Sequence, residues 1–162
     1  MRDDIDIRTN NSNDHETVFI VDDHDLIRDM LETVFSEFGY KVITACDGQD
    51  AVDKFKDHID LIDIILMDII MPLKDGVEAY KEICHLKPDV KIVFMSGYND
   101  NNLYNLNPNI SFLKKPFKHS MLLNTIRKTL DGVYQGGCSH MSGHRLPKPN
   151  AKKCQDIGYP TS

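Results

Sequence analysis

The stretch DIILMDIIMPLKDG at residues 63–76 decides the fold of this chain. Its first five residues, 63–67, predict a strand whose last four residues, 64–67, are all apolar, and such a run is typical of a strand at the centre of a parallel sheet. A loop that begins with Asp68 and contains Pro72 follows, and a helical pattern begins at Gly76. Because parallel strands need a crossover connection, usually a helix, the stretch predicts one βα unit with an aspartate at the carboxyl end of its strand.

The same alternation of short apolar runs and helical patterns extends in both directions along the chain. It predicts further strands at 17–21, 41–45, 91–95 and 111–114, and helices at 25–38, 48–57, 76–86, 99–106 and 118–130. The alternation indicates an α/β fold, a doubly wound five-stranded parallel sheet with five helices on its two faces. Asp25 is the expected cap of the first helix. Because Asn has low helix propensity, the Asn-rich helix at 99–106 should be the most mobile ordered element.

Composition divides the 162 residues into three parts. Residues 1–16 are polar and without periodicity, so we expect a flexible leader. Residues 17–131 carry the alternating pattern of one domain. Residues 132–162 are rich in Gly, Pro, Ser and Lys, and we expect a flexible tail. The tail contains four candidate zinc ligands, Cys138, His140, His144 and Cys154. A zinc site there is disfavoured because their spacing fits no compact zinc-binding motif.

Charge and composition exclude several classes of function. The chain has 19 basic and 25 acidic residues and a net charge of −6, whereas nucleic-acid binding needs a basic face. Neither a membrane span nor a signal peptide is visible in the sequence. The four cysteines form no framework, and Cys46 and Cys84 fall in predicted core segments. We therefore expect a reducing compartment, the cytoplasm.

Polar side chains follow four of the predicted strands. Asp22 and Asp23 follow the first strand, Asp68 the third, Ser96 the fourth and Lys115 the fifth. Because the carboxyl ends of parallel strands share one edge of the sheet, these side chains should converge where ligands bind in such folds. Three carboxylates would repel one another unless a cation lay among them, and Mg²⁺ prefers oxygen ligands of this kind. A lysine and a hydroxyl could stabilise an acyl phosphate formed on one carboxylate.

Each of these residues also has an ordinary structural explanation. A single Asp after a strand is more often a loop or cap residue than a ligand, and Ser96 before a glycine suits a turn. Asp75 suits a helix start, and Asp60 and Asp63 suit a solvated strand entry. Only the joint placement of the strand-end residues, in chain order, favours a site.

Four motifs carry a resemblance to a known family: FIVDDH (19–24), MDIIMPLKDG (67–76), FMSGY (94–98) and FLKKPF (112–117). With them, residues 17–131 resemble the receiver domain of two-component response regulators, similar to chemotaxis regulators. The resemblance implies the flavodoxin-like strand order 2-1-3-4-5.

The resemblance also implies roles for individual residues. Asp68 is the expected phosphoryl acceptor, assisted by Lys115 and Ser96, and the bond from Lys115 to Pro116 is expected to be cis. Ser96 and Phe112 are the expected switch residues, which would repack one surface when Asp68 is phosphorylated. The expected Mg²⁺ cofactor would be held by Asp22, Asp23, Asp68 and the backbone carbonyl of Ile70.

The function implied is a single-domain response regulator that takes a phosphoryl group from a histidine kinase or histidine phosphotransfer protein and signals to a downstream protein. The alternatives are the receiver module of a hybrid-kinase phosphorelay and a phosphorylation-independent interaction domain. A phosphatase of similar fold is disfavoured because Ile70 cannot act as its general acid.

The chain is not expected to be an enzyme beyond its own phosphoryl transfer and its own dephosphorylation. That dephosphorylation should be slow, because neither Ile70 nor Tyr98 offers a carboxylate or amide to orient the hydrolytic water, and both can occlude its path. Neither nucleic acid nor membrane is an expected partner. A homodimer would use the fourth helix, the fifth strand and the fifth helix.

Overall fold

The computed structural model describes residues 16–97 and 110–132. Its five strands form one parallel sheet in the order β2-β1-β3-β4-β5, which confirms the predicted fold. The strands are β1 Thr17–Val21, β2 Lys41–Ala45, β3 Ile64–Asp68, β4 Lys91–Ser96 and β5 Ser111–Lys114.

Four helices connect or follow these strands within the described residues. They are α1 Asp25–Glu37, α2 Gly48–Asp57, α3 Gly76–Leu86 and α4 His119–Leu130. The corresponding predictions are confirmed, with helix ends within one residue. The predicted helix at 99–106 lies outside the described residues, so its existence and its mobility stay predictions. None of the helices just named is long and apolar enough to cross a membrane.

Aspartates begin two of the helices, while α1 begins differently from the prediction. Asp47 caps α2 by accepting the N–H groups of two following residues, and Asp75 forms a capping box with Glu78 at the start of α3. At α1 the cap is His24 and not Asp25, because His24 has the extended backbone (φ −91°, ψ 113°) of a cap. Asp25 already lies within the first turn.

The core has two layers, one on each face of the sheet. Successive strand residues point to opposite faces, so Val18 and Ile20 of β1 belong to one apolar cluster and Phe19 and Val21 to the other. Helices α1 and α4 cover the first cluster, and α2 and α3 cover the second. Because β1, β3 and all but the first residue of β4 are buried, the carboxyl edge of the sheet is supported by a packed core.

Cys46 follows β2 and Cys84 lies in α3, and both are disulfide-bonded in the structure. This is not the state expected in a reducing compartment. The cytoplasmic location therefore stays an expectation from the sequence.

Gly76 allows α3 to begin directly beside the end of β3. A Cβ atom at this position would lie 2.2 Å from the backbone oxygen of Asp68. The N–H of Gly76 donates to the carbonyl of Ile69 at 2.9 Å, which closes the loop between β3 and α3. The missing side chain thus keeps the loop after Asp68 compact.

We expect Gly76→Ala to destabilise the protein by roughly 2 kcal/mol or more, because the added Cβ would displace the backbone at Asp68. Gly97→Ala is the matched control, since a Cβ there meets no described atom within 4 Å. The measurement is chemical denaturation followed by circular dichroism. Equal stability of the two variants would contradict this account of the loop.

Candidate functional site

The strand register brings the predicted site residues to one edge of the sheet. Val21 of β1 pairs with Met67 of β3, so Asp22 and Asp68 follow in adjacent positions. Asp68 in turn pairs with Met95 of β4, just before Ser96. The strands β1 and β3 are also the neighbours at which the sheet order reverses, the usual ligand position in open α/β sheets.

Lys115 joins two of the aspartates. Its Nζ atom lies 2.7 Å from Oδ2 of Asp68 and 3.0 Å from Oδ2 of Asp22. Asp22 is fully buried and Asp68 is 7% exposed. The expected cis bond between Lys115 and Pro116 is present. One ammonium group from the end of β5 therefore pairs with two carboxylates, from the ends of β1 and β3.

The protonation behaviour of the site follows from this arrangement. Burial raises the pKa of Asp68; the hydrogen bond and charge of Lys115 oppose the rise, and the charge of Asp22 adds to it. Burial acts to lower the pKa of Lys115, but the hydrogen bonds and charges of Asp68 and Asp22 together outweigh burial and leave that pKa raised. Lys115 therefore stays a cation. Further positive charge nearby would stabilise the ionised form of Asp68.

Backbone and side-chain contacts fix Asp22 in place. Its Oδ1 accepts the N–H of His24 at 2.9 Å, and its backbone carbonyl accepts a hydrogen bond from Nη1 of Arg28 at 2.6 Å. Arg28 also pairs with Asp25 in the first turn of α1. The guanidinium group thus ties the loop after β1 to the helix that follows it.

Asp23 supplies the observation that tests whether a metal ion fits. Its Oδ1 is buried but accepts no hydrogen bond from any group within residues 16–97 and 110–132. Nδ1 of His24 lies 3.0 Å away but not in hydrogen-bond geometry. Ligand atoms of Asp22, Asp23, His24 and Asp68 all lie within 4.8 Å of one another. A buried carboxylate oxygen without a donor, in such a cluster, fits a divalent cation with oxygen ligands.

The structure therefore brings together Asp22, Asp23, Asp68 and Lys115, as the sequence predicted. Ile70 donates its N–H to Oδ1 of Asp68 at 3.2 Å, while the ligand role of its carbonyl stays a prediction. His24 was not among the predicted ligands, although it directly follows the two aspartates in the motif FIVDDH.

The two expected switch residues lie in the neighbouring strands β4 and β5. Ser96 ends β4 and is buried, and its carbonyl accepts the N–H of Lys115 at 2.7 Å. Phe112 of β5 stacks on Phe94 of β4 with ring centroids 5.8 Å apart, and it packs against the core. Their positions are compatible with a switch, and the switching itself stays a prediction. Tyr98 lies outside the described residues.

The comparisons with known proteins agree with this architecture. A family model, the response regulator receiver domain, matches residues 18–127. A flavodoxin-like sheet with an acidic cluster and a lysine at its carboxyl edge is the architecture of a signalling receiver. The chain belongs to the response regulator receiver domain family.

Two relatives illustrate the range of proteins that share this domain. The chain is 34% identical to the chemotaxis protein CheY of Thermotoga maritima over 68% of its own length and 94% of that protein. It is 30% identical to the sensor kinase CckA of Brucella abortus over 71% of its own length and 12% of that protein. The chain spans only 12% to 54% of the length of four curated relatives that it matches, CckA among them.

Among solved structures, the receiver domain of the sensor histidine kinase PA1611 from Pseudomonas aeruginosa is similar, with a TM-score of 0.63 and 25% identity. The similarity covers 72% of this chain and 98% of that one. That structure has a magnesium ion coordinated in its active site cleft.

We expect Asp68→Asn to raise the free energy of unfolding of the metal-free protein, because burial raises the pKa of Asp68 and the folded protein therefore disfavours its charged form. A neutral amide avoids this cost at any pH at which the carboxyl is ionised. Asp60→Asn, at an exposed carboxylate, is the control and should change little. Denaturation in the presence of a chelator measures the difference. An Asp68→Asn variant that is less stable than the wild type would contradict the electrostatic account.

Proposed function

We propose that the chain accepts a phosphoryl group on Asp68 from a histidine kinase or a histidine phosphotransfer protein, with Mg²⁺ as cofactor. The observation that carries this proposal is the contact of Lys115 Nζ with both Asp68 and Asp22 at the edge of the sheet. The magnesium ligands would be Asp22, Asp23, Asp68 and the backbone carbonyl of Ile70. When bound, the ion would supply positive charge to the phosphoryl oxygens.

In the transfer, Oδ2 or Oδ1 of Asp68 attacks phosphorus. The bond from phosphorus to the donor histidine nitrogen breaks, and that nitrogen keeps the electron pair. Lys115 can remain beside Asp68 and pair with a phosphoryl oxygen, which offsets part of the added negative charge. The N–H of Ile70 already points at Oδ1 of Asp68 and holds the carboxylate plane. The chain's own residues thus orient the acceptor and stabilise the charge that develops.

Phosphorylation would act on the surface through Ser96 and Phe112. The Ser96 hydroxyl would turn toward a phosphoryl oxygen, and the Phe112 ring would move into the space that the hydroxyl leaves. The stack of Phe112 on Phe94 couples this movement to the packed core between β4 and β5. Such a two-state surface is read by a downstream protein target.

Exposed apolar side chains beside the site support a protein as phosphoryl donor. Leu26 in the first turn of α1 is 84% exposed, and Ile70 and Leu73 in the loop after β3 are 56% and 83% exposed. Exposed apolar groups around a charged site are typical of protein interaction surfaces. Leu73 also adopts a left-handed backbone (φ 70°), which holds its side chain in the tight turn of this loop.

The domain organisation we propose is a receiver at residues 17–131, preceded by residues 1–16 and followed by residues 132–162, and its first candidate role is that of a terminal response regulator. The second candidate is the receiver module of a hybrid-kinase phosphorelay, which the similarity to the sensor kinase CckA favours. Phosphotransfer profiling distinguishes them. A relay module should pass its phosphoryl group on to a phosphotransfer protein, whereas a terminal regulator should receive a phosphoryl group and not pass it on.

Incubation with acetyl phosphate and Mg²⁺ should add one phosphoryl group to the wild-type chain. We expect no labelling of Asp68→Asn or in the presence of a chelator, and normal labelling of the control Asp60→Asn. Intact-mass spectrometry with peptide mapping measures both the extent and the position. Wild-type protein that stays unlabelled, with the metal bound, would favour a phosphorylation-independent interaction domain instead.

Dephosphorylation is expected to be faster in Ile70→Asn than in the wild type, by roughly threefold or more, because the amide can orient a water molecule near Asp68. The matched control is Leu73→Asn, which makes the same change in polarity at an exposed position of the same loop. Decay of the phosphorylated form is followed over time after removal of the donor. Slower or unchanged decay in Ile70→Asn would refute the role assigned to this position.

A further inference from the structure

We propose that His24 is a further metal ligand of this site, and that its imidazole lets the site bind transition-metal ions such as Co²⁺ in preference to Mg²⁺. The inference deepens the proposed function and rests on its metal site. It concerns which divalent cations the acidic cluster prefers, because an imidazole nitrogen strengthens the binding of transition-metal ions relative to Mg²⁺.

The geometry of His24 supports this role. Its Nδ1 lies 3.0 Å from Oδ1 of Asp23 and 3.2 Å from Oδ1 of Asp22. Adjacent ligands of an octahedral ion with bonds of about 2.1 Å are separated by about 3.0 Å, and opposite ligands by about 4.2 Å. Since the ligand atoms of all four residues lie within 4.8 Å of one another, the cluster needs only a small contraction to surround one ion.

The backbone at His24 is fixed while its ring keeps freedom to adjust. The N–H of His24 donates to Oδ1 of Asp22, and its carbonyl accepts the N–H groups of Ile27 and Arg28 at the start of α1. The side chain itself is 65% exposed. An exposed ring on a fixed backbone can change its hydrogen-bond role at little conformational cost.

Two roles of Nδ1 are therefore available. Without an ion, Nδ1–H can donate toward the carboxylate of Asp22, with which it is in hydrogen-bond contact. With an ion, Nδ1 would offer its lone pair and the ring proton would reside on Nε2. The buried Oδ1 of Asp23, which lacks a donor within the described residues, lies beside Nδ1 and completes this side of the site.

The chemistry of the donor set determines the preference. Carboxylate oxygens suit Mg²⁺, whereas imidazole nitrogen is a poor ligand for Mg²⁺ and a good one for Co²⁺ and Ni²⁺. A site with three carboxylates and one imidazole should thus bind Co²⁺ more tightly than a site with carboxylates alone, relative to Mg²⁺. Replacing His24 with Asn removes the imidazole and keeps a side-chain donor near Asp22.

The test measures the affinities of the full chain for Co²⁺ and for Mg²⁺ by isothermal titration, for the wild type, His24→Asn and His85→Asn. His85 is an exposed histidine of α3. Its Nδ1 contacts the backbone carbonyl of Lys81 at 2.6 Å. We expect His24→Asn to reduce the ratio of Co²⁺ to Mg²⁺ affinity by about tenfold, and His85→Asn to leave it unchanged. An unchanged ratio in His24→Asn, whether both affinities fall together or neither falls, would overturn the proposal.

A second readout detects the nitrogen ligand directly. Bound to high-spin Co²⁺, a coordinating imidazole gives a strongly shifted, exchangeable N–H signal in the proton NMR spectrum. This signal should be present in the wild type and in His85→Asn, and absent in His24→Asn. A spectrum of His24→Asn identical to that of the wild type would count against the ligand.

These measurements use no phosphoryl donor. The role of His24 as a metal ligand can therefore be refuted independently of phosphoryl acceptance by Asp68. Loss of the Co²⁺ preference in His24→Asn together with an unlabelled Asp68 would support the ligand and refute phosphoryl acceptance. Normal labelling of Asp68 with an unchanged affinity ratio in His24→Asn would support phosphoryl acceptance and refute the role of His24 as a metal ligand.

Discussion

The Lys115 ammonium group between two buried carboxylates is the contact on which the rest of this site depends. Burying a charged carboxylate costs several kcal/mol unless an opposite charge and hydrogen bonds compensate for it. Lys115 reaches both Asp22 and Asp68 only because β5 ends at the same edge of the sheet as β1 and β3. The strand order, the buried central strands and the close start of α3 at Gly76 all serve to hold this one arrangement.

Much of this could be predicted from the sequence, because its strongest signals are local. Continuous apolar runs such as 64–67 indicate buried strands, and the polar residue directly after a parallel strand must lie at the carboxyl edge. The convergence of Asp22, Asp68 and Lys115 follows from those two facts. The role of His24 could not be predicted in this way. Whether it caps α1 and whether its ring turns toward Asp23 depend on the dihedral angles of the loop, which no periodicity encodes.

The same module occurs in proteins of very different size. The chain covers 94% of the CheY protein of Thermotoga maritima and 12% of the sensor kinase CckA of Brucella abortus. The residues of the site lie at or directly after strand ends of one sheet. The site therefore requires no residue from a neighbouring domain, and the same domain can occur in proteins of different architecture. What can vary are the exposed positions on the two loops around it. In this chain those positions include His24 after β1 and Ile70 after β3, which the proposals above connect to metal choice and to the lifetime of the phosphorylated form.

The central claim is that the three aspartates share a divalent cation that prepares Asp68 for phosphoryl transfer. A crystal structure of the protein grown with Mg²⁺ and beryllium fluoride, a mimic of the phosphoryl group, tests it most directly. The account predicts beryllium bonded to a carboxylate oxygen of Asp68, the metal ion bound by Asp22 and Asp23, and Lys115 in contact with a fluoride. Beryllium on another residue, or an ion bound away from these aspartates, would contradict it.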